Sequence, residues 1–172
     1  MSSALLVIDV QRNMFEGTPS VYRGVELLAT LSALVARARA AGMPVIFVRN
    51  CGAVGDVDEP GTEGWELSPA LPRLVGEPIV DKSSPDAFVE TNLDALLRAR
   101  GVRSVIVCGL QSEYCVQATC RGARERGYEV TLASDGHSTF DSEGATAAEV
   151  IERENSKLSC TVRVAARAVA QN

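Results

Sequence analysis

The chain holds one histidine, His137, among its 172 residues, and only two of its 17 basic residues, Lys82 and Lys157, are lysine. Aromatic residues make up 5% of the sequence. The five cysteines (Cys51, Cys108, Cys115, Cys120 and Cys160) are odd in number and include no C-x-x-C pair, which argues against both a disulfide framework and a zinc cluster. A net charge of −5 provides no basic footprint for nucleic acid or an anionic membrane surface. No apolar run approaches the length of a transmembrane span. The opening segment, MSSALLVIDV, lacks a basic n-region and its apolar run stops at Asp9, so it reads as a strand rather than a signal peptide. Unpaired cysteines fit a reducing, cytoplasmic setting. These absences leave a small molecule as the expected partner.

What is present is a regular alternation. The length suits one domain, residues 1–172, and 46% hydrophobic residues suffice for a substantial core. Short apolar runs at 4–8, 44–48, 78–80, 102–109, 128–133 and 161–164 read as strands covered on both faces. Helical spacing occupies 24–42 (Val25, Leu28, Leu31, Val35, Ala38), 92–100, 114–126 and 145–154, with Gly42, Gly101 and Gly127 closing the first three. Between 51 and 78 lies a loop rich in glycine and proline, with one helical turn expected near 67–74, carrying the only tryptophan, Trp65. Strands alternating with helices predict an α/β fold, a mostly parallel central sheet between two helical layers.

In such a sheet ligands bind beyond the carboxyl ends of the strands, near the point where strand order reverses. Three different strand ends carry a carboxylate (Asp9), an amine (Lys82) and a thiol (Cys115). A thiol attacks as thiolate. A helix start favours an anion at Cys115, a nearby ammonium adds to this, and a carboxylate can accept the thiol proton. Each residue has a plainer reading: Asp as a turn former, Lys as a solvated charge, Cys as a small core side chain. Cys51, Cys108, Cys120 and Cys160 are assigned to that last role. A redox pair of Cys115 and Cys120 is disfavoured, because residues five apart on a helix do not share a face.

Four segments carry a resemblance. They are Ala4–Gln11 with Phe15, Asp81–Lys82 with Asp86-Ala87-Phe88, Gly109–Val116 with Thr119, and Gly127–Val130 with Asp135. Together and in order they resemble the isochorismatase-like cysteine hydrolases, whose nucleophile segment runs G-x-x-T-x-x-C-V-x-x-T. The resemblance implies a three-layer α/β/α fold and a catalytic set of Asp9, Lys82 and Cys115. It implies an oxyanion hole from the backbone N–H groups of Gln111 and Cys115, with a non-proline cis peptide at Leu110–Gln111. It also implies a homo-oligomer and no cofactor. Ser112 departs from the usual Thr. Where the nicotinamidase branch carries Asp-x-His for a metal, this chain reads Arg49-Asn50-Cys51, so no metal site of that kind is expected and nicotinamide is a poor substrate candidate. Gln11, Phe15, Trp65, Phe88, Tyr114 and His137 are candidate pocket residues. For His137 a hydrogen-bonded loop role is the stronger expectation, and for Phe88 core packing. The reaction expected is hydrolysis of a C–N bond in an amide, ureide or carbamoyl compound. Vinyl-ether hydrolysis with Cys115 incidental, and a non-catalytic binding protein of the same fold, are the alternatives.

Overall fold

A computed structural model describes residues 2–157 and 162–164 of the chain. In order it forms β1 (Ser2–Ile8), α1 (Arg12–Glu16), α2 (Gly24–Ala40), β2 (Val45–Asn50), β3 (Ile79–Lys82), α3 (Leu93–Ala99), β4 (Val102–Leu110), a π-helical turn (Ser112–Val116), α4 (Gln117–Glu125), β5 (Glu129–Ser138), α5 (Ala147–Lys157) and β6 (Val162–Val164). The six strands pair in the order β3-β2-β1-β4-β5-β6, and every ladder is parallel. Successive side chains on a strand point to opposite faces, and the core divides accordingly. Leu5, Val7, Phe47 and Ile106 pack against Leu27, Leu31, Leu34 and Val35 of α2. Ala4, Leu6, Ile8, Val48 and Val107 pack against Leu93 and Leu97 of α3 and Val116, Cys120 and Ala123 on the other side. This is the three-layer arrangement expected.

Several boundaries differ from the sequence reading. In α2 the buried face is Leu27, Leu31, Leu34, Val35 and Ala38, while Val25 is 82% exposed, because the stripe turns away from the first turn of the helix. A short helix, α1, follows β1 where no helix is expected from the sequence. The segment 51–78 has no helix near 67–74; instead Leu67 bridges to Gln11 and a turn closes from Ser68 to Leu71. Four prolines break any longer helix there. Strand β5 runs on to Ser138, because its register to β4 jumps: Val107 pairs with Leu132, but Gly109 pairs with His137. The expected last strand is seen over 162–164, and Thr161 and Cys160 lie outside the described residues.

Strand order reverses between β1 and β4, the neighbours that leave the sheet in opposite directions of chain order. At that point the two backbones come very close. Gly109 has φ +115°, and any β-carbon on it would collide with the Ile8 backbone, so glycine is required. Directly beyond lies Asp9, itself in the left-handed region at φ 49°. Among the described residues, no helix is long and apolar enough to cross a membrane.

Candidate active site

Asp9 leaves β1, Lys82 ends β3, and Cys115 sits in the turn after β4. Lys82 belongs to the next strand but one from Asp9, with β2 between them, and its partner in the ladder is Asn50 at the end of β2. Its side chain therefore crosses over Asn50 to reach the carboxylate. Lys82 Nζ lies 2.9 Å from Asp9 Oδ2, 3.3 Å from Cys115 Sγ and 3.2 Å from Asn50 Oδ1. An ammonium has three N–H donors, and each faces one of these acceptors. Lys82 and Asp9 are 2% and 1% exposed, while Cys115 is only half-buried, so the thiol is the member of the set open to an incoming molecule.

Burial is the largest single influence on the ionisation of all three. It pushes the Asp9 carboxyl above the usual carboxylate range, against the pull of Lys82. It opposes the charge on Lys82, but Asp9 and Cys115 outweigh it and hold the ammonium above the ordinary lysine range. Burial first, and the Asp9 carboxylate second, push the Cys115 thiol up to about 12 despite Lys82. The sequence reading, in which a helix start and an ammonium favour thiolate, is corrected here: desolvation wins and the resting sulfur is a thiol. Cys115 lies in the π-helical turn Ser112–Val116, which runs directly into α4 at Gln117, so it occupies the first turn of a helical run as expected. Asp9 Oδ2 is taken by Lys82, whereas Oδ1 is buried with no hydrogen-bond partner among the described residues. The carboxylate and the thiol also interact side chain to side chain, which sets a base of raised basicity beside the sulfur. The peptide Leu110–Gln111 is cis, as the resemblance implied.

The other sequence candidates are scattered. Gln11 is fully buried and its amide is spent on backbone: Nε2 donates to the carbonyls of Asn50 and Trp65 (both 3.0 Å), and Oε1 accepts the Asn50 N–H at 2.8 Å. It ties the β1 and β2 ends to the long loop. The Arg49 guanidinium lies 3.3 Å from the Trp65 ring centroid and is paired with Asp81, and Trp65 Nε1 donates to Cys51 Sγ at 3.4 Å. Arg49, Asn50 and Cys51 at the end of β2 thus each have partners within the chain. Phe15 packs half-buried on the α2 side, and Tyr114 is 59% exposed. Phe88 is buried and stacks on Tyr128 at 5.9 Å, a core role. His137 is buried away from the thiol's partners: Nδ1 is 2.7 Å from Ser112 Oγ and Nε2 is 3.1 Å from Asn155 Oδ1. An amide oxygen cannot donate, so Nε2 carries a proton, and in the neutral imidazole Ser112 donates to Nδ1. The histidine pins the nucleophile turn to β5 and α5.

Sequence reasoning missed Asp58 and Asn155, and it named Asn50 and Ser112 without a partner for either. Only Ser112, which holds the hydroxyl position of a recognised motif, carried a signal. Asn50 Nδ2 donates to Asp58 Oδ2 at 2.7 Å, and nothing in the order of residues announces that a loop aspartate returns to the end of β2.

Residues 3–156 match the isochorismatase domain family. A streptothricin hydrolase of Streptomyces noursei is 45% identical over 138 residues, 80% of this chain and 50% of that protein. A second from the same organism is 43% identical, and the chain spans about half the length of both. An uncharacterised isochorismatase family protein of Bacillus subtilis is 34% identical over 81% of this chain and 79% of its own. Among solved structures, an isochorismatase from Pseudomonas putida superposes with a TM-score of 0.91 at 30% identity, covering 96% of this chain and 89% of that one. A cysteine hydrolase from Pseudomonas syringae gives 0.88 at 25% identity, covering 98% and 91%.

Proposed function

The chain belongs to the isochorismatase family, and from that premise we propose that it hydrolyses a C–N bond of a small amide, ureide or carbamoyl compound through a thioester on Cys115. The observation that carries this reading is the single ammonium, Lys82, held between Asp9 and Cys115, with the Asp9 carboxylate itself interacting with the thiol. As sulfur attacks the substrate carbonyl carbon, Asp9 takes the S–H proton. Lys82 stays protonated and keeps the carboxylate and sulfur oriented. The carbonyl oxygen becomes an oxyanion received by the backbone N–H groups of Gln111 and Cys115. Collapse of the adduct breaks the C–N bond, and Asp9 passes its proton to the leaving nitrogen. Water then attacks the thioester, Asp9 accepts one of its protons, the acid product leaves, and the thiol is restored.

A raised carboxyl is the better base for a thiol that rests protonated, and proton transfer coupled to attack avoids a free thiolate in a buried site. The similarity to streptothricin hydrolases places streptothricin on the list of substrates to try, beside simpler amides and ureides. The four described cysteines are all free thiols, which supports placing the enzyme in a reducing cytoplasm.

The test is ammonia or amine release across such a panel, with Cys115→Ala as the control. Turnover by the wild type, none by the variant, and an unchanged circular dichroism spectrum support the proposal. A Cys115→Ala protein that works at the wild-type rate overturns the thioester step, and a wild type inert to every compound favours vinyl-ether hydrolysis or a binding protein.

A further inference from the structure

We infer that Asn50 and Asp58 are positioning residues for Lys82, and through it for the Asp9–Cys115 pair, so that the long loop 51–78 is mechanically part of the catalytic apparatus. The inference rests on the thioester reading above. The Lys82 ammonium crosses β2 directly over its ladder partner Asn50, and the Asn50 side-chain oxygen takes the one N–H that neither Asp9 nor Cys115 accepts. Without that acceptor a buried ammonium keeps an unsatisfied donor and is free to swing away from the sulfur. The amide of Asn50 has two possible orientations. Asp58 selects the working one by accepting from Nδ2 at 2.7 Å, which forces Oδ1 towards Lys82. Asp58 is seated closely enough that a β-carbon on Gly52 would collide with its carboxylate, and the Gly52 N–H donates to the Asp58 carbonyl at 2.9 Å. The Asn50 backbone is fixed separately through both polar ends of Gln11, so the side chain has no slack. The line of contacts runs Asp58, Asn50, Lys82, then Asp9 and Cys115. The titratable groups acting on Asp9 are Lys82, Cys115 and, from the loop, Asp58, whose negative charge favours the protonated carboxyl.

The experiment compares the full-length wild type with Asn50→Ala, Asp58→Asn and the double variant that combines Asn50→Asp with Asp58→Asn. This exchanged pair keeps the charge count and reverses the polarity of the contact: the carboxylate introduced at position 50 still accepts from Lys82, and the amide introduced at position 58 donates to that carboxylate. For an active panel compound, Asn50→Ala lowers kcat roughly 10- to 100-fold with little change in KM, as expected for misplacement of a catalytic group. Asp58→Asn moves the acid limb of the pH profile to lower pH, and the exchanged pair recovers activity over Asn50→Ala. A readout that needs no substrate is the rate of Cys115 alkylation by iodoacetamide against pH, followed by peptide mass spectrometry. Slower labelling in Asn50→Ala at a given pH shows that Lys82 has lost its hold on the sulfur. Because alkylation reports the contact even where no amide is cleaved, failure of this inference and failure of the thioester reading are told apart. Wild-type alkylation profiles in both Asn50→Ala and Asp58→Asn, or an exchanged pair no better than Asn50→Ala, overturn the proposal.

Discussion

Replacing Lys82 by Met removes the ammonium while keeping an unbranched chain of similar length in the same channel. The ion pair with Asp9 is buried on both sides at 2.9 Å. With an effective dielectric constant of about 20, the gross attraction at that separation is about 6 kcal/mol, and the cost of desolvating two ions offsets much of it. Removing one partner is a different matter, because the other charge stays buried and uncompensated, at a cost of about 3–5 kcal/mol. Asp9 responds by taking up a proton, and its folded-state pKa, already raised by burial, climbs further. A carboxyl raised above its unfolded value of about 3.9 contributes fully below that value and loses its contribution as pH rises through the folded pKa. The variant is therefore closest to wild type near pH 5 and falls furthest behind near pH 8. For a urea slope of about 2 kcal/mol per molar, the pH 8 midpoint drops by about 2 M. Urea titration followed by far-ultraviolet circular dichroism at both pH values measures this, and Asp9→Asn combined with Lys82→Met recovers most of the loss. A Lys82→Met protein as stable as wild type at pH 8, or a deficit independent of pH, refutes the reasoning.

Two further outcomes test the site and the sheet junction. In the native wild type Cys115 alkylates more slowly than a free thiol at neutral pH and accelerates as pH climbs towards its raised value of about 12, while buried Cys108 and Cys120 stay unlabelled; a Cys115 rate above that of a free thiol at pH 7 refutes the protonated resting state. Gly109→Ala, which places a methyl against the Ile8 backbone at a positive φ, costs at least about 2–3 kcal/mol of stability, and an unchanged melting temperature would show that β1 and β4 can part to admit it.

The elements legible in the sequence were those with a period. Buried parallel strands announce themselves as unbroken apolar runs, and the three reactive residues could be found because each follows such a run. The geometry around the thiol was less legible, for identifiable reasons. The π-helical turn at Ser112–Val116 looks in sequence like the first turn of α4, because it is continuous with that helix and differs from it only in its hydrogen-bond spacing. The sign of the Cys115 perturbation depends on how much water reaches it, a property of packing that residue order does not encode. His137, expected on a loop, lies inside β5, and its direction follows from the register jump between β4 and β5, which shifts it to pair with Gly109 and aims it at Ser112. Asn50 and Asp58 meet across eight residues of loop with no periodicity to follow.

The position of β3 in the sheet has a consequence for how the site fails. β3 is an edge strand of four residues that pairs with β2 alone, yet it delivers the cation on which the carboxylate and the sulfur both depend. Edges open at lower free energy than interiors. Peeling back this short border would withdraw Lys82 while β1 and β4 stay paired and the core stays closed. Under the proposed mechanism the chemistry would then be lost at the rim of the sheet before the fold is lost at its centre.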